Sequence, residues 1–155
     1  MKMFSNLAIA VSLSVISAEA QEPQASWPPA GYAALRFEQI GYGQQKSEFA
    51  AQLLDIAGLG YAAPFTVEGA AGSKPARPGN GVWLATLGAR SAPTYVLMVN
   101  SHATCSQNQC SWAIIRKDRN IITVDACDLI DRSAISSDGG KLRICDKILN
   151  LTDIP

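Results

Sequence analysis

The chain has little charge and no excess of either sign. Lys and Arg together number 13, Asp and Glu also number 13, and charged residues make up 17% of the sequence. A surface without net charge exerts no long-range attraction on phosphate backbones or anionic membranes. The composition therefore argues against nucleic acid as a partner. The local basic cluster of Arg116, Lys117 and Arg119 is interpreted as a solvated hairpin turn.

The sequence also lacks the short motifs that carry enzyme chemistry. It contains no GxSxG elbow, no HExxH, no glycine-rich phosphate loop and no CxxC. The single histidine, His102, has no matched nucleophile, so a role as general base is not favoured. Asp125, Asp128 and Asp131 lack the glycine turn and terminal glutamate of a calcium loop and are interpreted as a solvated turn. We expect a protein that is not an enzyme and uses no cofactor.

No apolar run is long enough to cross a bilayer. Residues 4–17 (FSNLAIAVSLSVIS) carry no charge, but they are fewer than the ~20 residues that a membrane-spanning helix needs. Lys2 precedes this run, and Ala18, Glu19 and Ala20 follow it as a small-x-small cleavage pattern. We therefore expect residues 1–20 to be a secretory signal peptide. The mature chain is then periplasmic or secreted and has no membrane span.

Cysteines are few, but their number is even. In an exported chain, Cys105, Cys110, Cys127 and Cys145 predict two disulfides, for which three pairings exist. We favour Cys105 with Cys110, which would close a tight loop between strands, and Cys127 with Cys145, which would join two later strand-like segments. Cys105, Cys110 and His102 could instead bind zinc or copper. No fourth ligand is adjacent and the compartment is oxidising, so we expect no metal.

The hydrophobic pattern predicts one helix. Residues 21–32 are rich in proline and polar residues and predict a flexible arm, with residues 33–155 as a single globular domain. Phe49, Leu53 and Ile56 fall at i, i+4 and i+7. This spacing predicts a helix over residues 44–58 with those three side chains facing a sheet.

Short β-branched and aromatic segments predict a series of antiparallel strands over residues 82–87, 93–100, 111–117, 120–127 and 141–151. Residues 118–120 and 138–140 suit tight turns between them. Residues 66–81, with four glycines and two prolines, predict a long loop. The predicted fold class is α+β: an antiparallel sheet of about five strands with one helix packed on it, cross-linked by disulfides.

The C-x4-C segment is the candidate binding element. Its loop is polar and uncharged, and a disulfide-closed loop loses little freedom on docking into a cleft. Flanking residues would add donors and an aromatic contact. The candidate partner-binding residues are His102, Ser106, Gln107, Asn108, Gln109 and Trp112. The alternative is a loop that only holds a strand connection.

The order of helix, broken loop, strand, C-x4-C loop and further strands over residues 44–124 resembles the periplasmic inhibitors of vertebrate lysozyme. In that family a disulfide-closed loop of this length enters the enzyme's active site. The family's loop contains lysine, proline and histidine, whereas this loop reads SQNQ. Residues 95–127 are also similar to uncharacterised exported bacterial proteins with a strand, C-x4-C, strand pattern.

The first resemblance implies a small exported binding protein that inhibits, or confers immunity to, a cell-wall-degrading enzyme such as lysozyme. The alternative is a non-catalytic structural or assembly domain of the cell envelope without an enzyme target. The expected partner is a protein, with a peptidoglycan hydrolase as the candidate.

The cysteine pattern makes a direct prediction about the mature protein. Protein recovered from the periplasm should contain two disulfides and no free thiol, because an even number of cysteines in an oxidising compartment pairs completely. Intact mass spectrometry after alkylation in denaturant, with and without prior reduction, measures this. Two or more thiols alkylated without reduction would contradict it, as would one bound metal ion per chain in native mass spectrometry of the untreated protein.

Overall fold

A computed structural model describes residues 26–41, 44–72, 80–116 and 120–152. The predicted signal peptide therefore lies outside the described residues. Within the described part of the chain, no helix is both long enough and apolar enough to span a membrane. The elements are, in chain order, β1 (Tyr32–Ala34), β2 (Glu38–Gln39), α1 (Gln44–Ile56), a 3₁₀ turn (Gly60–Ala62), α2 (Ala63–Thr66), β3 (Gly81–Leu87), β4 (Thr94–Asn100), β5 (Cys105–Ser106), β6 (Gln109–Ile115), β7 (Ile121–Cys127), a second 3₁₀ turn (Ile130–Arg132), β8 (Ser133–Ser136), β9 (Lys141–Ile144) and β10 (Lys147–Asn150).

The described elements form three layers. The middle layer is a six-stranded antiparallel sheet in the order β2-β3-β4-β6-β5, with β7 paired to the other edge of β6. A four-stranded sheet in the order β1-β8-β9-β10 covers one face of it, and the helices cover the other. Because side chains alternate along a strand, the middle strands supply both interfaces. In β4, Val96 and Met98 face the second sheet, whereas Leu97 and Val99 face the helices.

The mainly antiparallel β architecture with few helices agrees with the expected fold class, but the number of sheets does not. The predicted strands at 82–87, 93–100, 111–117 and 120–127 correspond to β3, β4, β6 and β7. The second sheet was not predicted, since its strands have only three or four residues, too few to display a period of two.

The predicted strand at residues 141–151 is a hairpin instead. β9 and β10 pair with each other, and Lys147 lies opposite Ile144. Cys145 occupies the intervening turn with a φ of 56°. A non-glycine residue with positive φ is uncommon, and Asp146 is the one turn-favouring residue between these strands, without the glycine or asparagine that marks a two-residue hairpin turn. This explains why the segment reads as one continuous strand.

The helix begins where predicted, but its buried face differs. Leu53 is 3% exposed, and Phe49 is half-buried against the Tyr95 ring with centroids 5.7 Å apart. Ile56 is 48% exposed, so the prediction that it faces a sheet is wrong. The buried face instead follows i, i+3, i+4 and i+7 spacing from Ala50. The apolar residues on the buried face are Ala50, Leu53, Leu54 and Ala57.

The folded part of the chain begins before residue 33. Tyr32 of β1 pairs with Ser136 of β8. The Trp27 ring lies close to the guanidinium groups of Arg132 and Arg143, which come from the second sheet and the turn before it. The described residues 26–32 of the predicted arm therefore belong to the body of the domain. Residues 21–25 of that arm lie outside the described residues.

The turn at residues 138–140 is confirmed. Gly139 has a φ of 73°, and one Asp138 carboxylate oxygen accepts hydrogen bonds from the Ser136 hydroxyl and the Gly140 N–H. These two hydrogen bonds hold the pKa of Asp138 below its usual value, because they stabilise the charged form. Of the predicted turn at residues 118–120, only Asn120 is described, and its carbonyl accepts the Arg116 N–H at 3.0 Å.

The predicted loop at residues 66–81 is described only in part. Thr66 ends α2, Val67 is buried among the core side chains, and Gly81 begins β3. Residues 73–79 lie outside the described residues.

Leu53 and Ile56 offer a matched pair of substitutions on one helix. Leu53→Ala should lower the free energy of unfolding by about 2–5 kcal/mol, because it opens a cavity between α1 and the middle sheet. Ile56→Ala should change it by less than about 0.5 kcal/mol, because the side chain is half-exposed. Equilibrium denaturation with both disulfides intact gives both values. Equal losses at the two positions would mean that the helix has a different rotation.

Candidate partner-binding site

The C-x4-C segment forms a tight β-hairpin. β5 and β6 pair through Cys105 with Cys110 and Ser106 with Gln109. Gln107 and Asn108 form the turn, with φ values of 49° and 63°. Two successive positive φ values are typical of a type I′ turn, whose twist matches that of the flanking strands.

Both disulfides join the cysteines that the spacing favours. Cys105 and Cys110 are bonded across the hairpin, with their Cα atoms 4.0 Å apart. The second bond links Cys127 at the end of β7 to Cys145 in the β9–β10 turn, with a Cα separation of 6.2 Å. Two disulfides indicate an oxidising, extracytoplasmic environment. Among the described residues, no group of three or more His, Cys, Asp or Glu side chains is arranged to hold a metal ion.

The side chains at the tip of this hairpin point into solvent. Ser106, Gln107, Asn108 and Gln109 are all exposed. None of the four makes a side-chain hydrogen bond to another described residue. Their hydroxyl and amide groups are therefore available to a partner. A loop that served only to hold a strand connection would use these groups on its own backbone.

A buried polar network fixes the base of the hairpin. Ser101 and Thr104 are both buried, and their hydroxyl oxygens lie 2.9 Å apart. The Thr104 hydroxyl donates to the Val99 carbonyl at 2.8 Å, and the Cys105 N–H donates to the Ser101 carbonyl at 2.8 Å. Since buried polar groups must stay paired, this network holds the direction in which the hairpin leaves β4.

His102 lies at this base and not at the tip. It is exposed, and its ring contacts that of Phe65 edge to face, with centroids 4.7 Å apart. Phe65 belongs to α2, so this contact joins the hairpin base to the helical layer. His102 can reach a partner only at the flank of the hairpin.

Trp112 does not lie at the surface, so the prediction that it contacts a partner is wrong. It is 0% exposed, its indole N–H donates to the Cys127 carbonyl at 2.9 Å, and its ring meets Phe37 edge to face. Alternation along β6 explains the burial, because Cys110, Trp112 and Ile114 all face the second sheet. That alternation is visible in the sequence and could have identified Trp112 as a core residue.

A polar cleft of about 310 Å³ lies beside the hairpin. Its lining includes His102, Ser106, Gln109, Ser111 and Asp125. The Ser111 hydroxyl donates to an Asp125 carboxylate oxygen at 3.0 Å, and the Lys147 ammonium donates to the Asp125 carbonyl. The Ser111 hydroxyl is thus hydrogen-bonded directly to the Asp125 carboxylate, without an intervening imidazole. The arrangement can bind a polar group, and it does not form a nucleophile–base–acid relay.

Sequence reasoning missed the contribution of Ser111 and Asp125 to this cleft. The two residues are opposite each other only through the register of β6 and β7. A register between strands is not readable from spacing along the chain. The charged Asp125, in a strand that is apolar apart from Thr123, is the one signal that could have indicated a polar site on β7.

Comparison of the chain with models of protein families, with curated proteins and with solved structures finds no match. The resemblance to the lysozyme inhibitors is thus one of element order and cysteine spacing.

The turn geometry predicts how the tip responds to substitution. A variant with Gln107→Gly and Asn108→Gly should unfold at no lower denaturant concentration than the parent, because glycine adopts positive φ without steric cost. Asn108→Val should lower the free energy of unfolding by about 1–2 kcal/mol, because a left-handed conformation crowds a β-branched side chain. Denaturant titration of the oxidised proteins tests both. A fully tolerated valine would contradict the type I′ turn.

Proposed function

We propose that this protein is an exported binding protein that inserts its C-x4-C hairpin into a cleft of a protein partner. The observation that carries the proposal is the hairpin tip: four exposed polar side chains, without hydrogen bonds to described residues, on a turn closed by the Cys105–Cys110 disulfide. A tip of this kind loses little conformational entropy on docking, because the disulfide and the turn already restrict its backbone.

The chemistry of the tip favours a particular kind of cleft. Gln107, Asn108 and Gln109 each offer two N–H donors and one carbonyl acceptor, and Ser106 adds a hydroxyl. None of these groups is charged. They can replace the hydroxyl and acetamido groups of a neutral glycan in a binding cleft. A peptidoglycan hydrolase, including an enzyme of the lysozyme type, has a cleft that binds such a polymer.

The cell location of the proposal rests on two independent features. Residues 1–20 carry a signal-peptide pattern, and both cysteine pairs form disulfides. Export to the periplasm would bring the protein to the compartment where cell-wall-degrading enzymes act. The protein would there inhibit such an enzyme or confer immunity to it.

A second candidate function is assembly of the cell envelope through strand addition. Within the described residues, β7 pairs only with β6, so its other edge carries no neighbouring strand. Ile121 on this strand is half-exposed. An exposed strand edge with an apolar side chain can accept a strand of another protein. This function needs no enzyme target.

Direct binding to purified peptidoglycan hydrolases tests the first proposal. The mature, oxidised protein is immobilised and exposed to a panel that includes vertebrate lysozymes and bacterial hydrolases, and lysis of cell-wall suspensions is followed in parallel. At least one enzyme should bind and lose activity as the protein is added.

A hairpin variant then locates the contact. Ser106→Ala, Gln107→Gly, Asn108→Gly and Gln109→Ala together remove the polar side chains while keeping the turn, and should weaken binding roughly thirtyfold, or ~2 kcal/mol. The matched control is Gln52→Ala, which removes an exposed amide from α1. Unchanged affinity of the hairpin variant would contradict the proposal that the tip makes the contact. Failure of every enzyme to bind would contradict the proposal that the partner is a peptidoglycan hydrolase.

A further inference from the structure

A second concave surface lies at the N-terminal end of the described chain. It is a groove of about 740 Å³ between residues 26–30 and the region of the Cys127–Cys145 disulfide. The C-x4-C hairpin does not line this groove. Its lining includes Trp27, Pro29, Leu129, Arg132, Arg143 and Asp146.

Two arginines converge on one aromatic ring in this groove. The Cζ atoms of Arg132 and Arg143 lie 5.7 Å and 5.5 Å from the centroid of the Trp27 ring. Both distances are within the range of cation–π attraction. Arg132 comes from the 3₁₀ turn before β8 and Arg143 from β9, so the fold brings them together from separate elements.

The positive charge of these arginines is not neutralised within the described part of the chain. Neither guanidinium forms an ion pair with a described residue. Arg143 donates from Nε to the Cys145 carbonyl at 3.1 Å, which leaves its two terminal nitrogens for another acceptor. Asp146 also lines the groove and is exposed, so one negative charge is present against two positive charges.

The Trp27 ring is not held by a hydrogen bond. Its Nε1 atom is buried and has no acceptor among the described residues. The contacts that hold the ring are therefore its packing and the two guanidiniums. A ligand that draws either guanidinium towards itself would change the environment of the indole N–H. Trp27 is thus a built-in reporter of binding to the arginines.

Apart from Ser26, the remaining lining is apolar or formed by the disulfide. Leu129 is 50% exposed, and Pro29 and Ala30 lie beside Trp27 along the groove. A large aliphatic side chain at the surface next to two guanidiniums offers contacts of two kinds. The planar guanidinium binds a carboxylate through two parallel hydrogen bonds, and the aliphatic wall excludes water from an apolar neighbour.

We propose that this groove binds a carboxylate that sits next to an apolar side chain, as at the C-terminus of a short peptide. Arg132 and Arg143 bind the carboxylate, and Leu129 contacts the apolar side chain. The site is independent of the hairpin and needs no hydrolase partner. The groove and the hairpin nevertheless lie at the same end of the middle sheet, because Cys127, which lines the groove, pairs with Gln109 of the hairpin.

Titration with two matched probes tests the proposal. The mature, oxidised chain labelled with ¹⁵N is titrated with N-acetyl-leucine and with N-acetyl-leucinamide, which lacks only the charge. The protein has three tryptophans, and Trp27→Phe identifies the resonance of Trp27. N-acetyl-leucine should shift the Trp27 indole signal in a saturable manner, with little effect on that of buried Trp112. The amide should bind at least about tenfold more weakly.

Three variants separate a specific site from a general charge effect. Arg132→Gln and Arg143→Gln should each weaken binding of N-acetyl-leucine about tenfold, whereas Arg90→Gln, at an exposed position between β3 and β4, should leave it unchanged. An unaltered Trp112 indole signal shows that each variant is folded. Arg132 is exposed, whereas Arg143 is partly buried, so Arg132→Gln is the variant that should disturb folding less. Equal binding of acid and amide, equal weakening by Arg90→Gln, or no saturable shift would each overturn the proposal.

Discussion

The arrangement of the molecule depends on the burial of β6 on both of its faces. Trp112 and Ile114 fill the space between the two sheets, while Ala113 and Ile115 pack beneath the helical layer. β6 also supplies the second strand of the C-x4-C hairpin, beginning at Gln109. The exposed tip is therefore the end of a strand whose other end is held in the core. Because protein interiors are close-packed, that strand cannot rotate or slide, and the tip keeps its direction.

The two disulfides act on different parts of this arrangement. Cys105–Cys110 spans a sequence separation of five, and the hairpin it crosses is already closed by strand pairing. Cys127–Cys145 spans a separation of 18 and joins the middle sheet to the turn of the second sheet. In the chain-entropy model the longer closure contributes about 3 kcal/mol. We therefore infer that the second bond mainly secures the layers, and that the first mainly restricts the tip.

The elements that could be predicted from the sequence are those with a long and regular hydrophobic pattern. β3, β4, β6 and β7 are seven residues each, and α1 shows helical periodicity, so these elements could be located. The second sheet and the exposure of Ile56 could not be assigned correctly from local spacing alone, because each depends on which layer covers a face. The pairing of Ser111 with Asp125 depends on strand register. Those features arise from tertiary packing, which overrides local preference. The burial of Trp112 could have been predicted from the alternation along β6.

An uncharged tip has consequences for how selective the proposed contact can be. Without opposite charges to steer the encounter, differences in affinity among partners arise mainly in the dissociation rate. Docking removes water from the amides of Gln107, Asn108 and Gln109, and each group that finds no acceptor or donor in the partner costs about 1–3 kcal/mol. A cleft with complementary polar groups offsets the free energy of desolvation, whereas an apolar or differently patterned cleft does not. The tip would therefore select its partner mainly by the penalty it imposes on the wrong one.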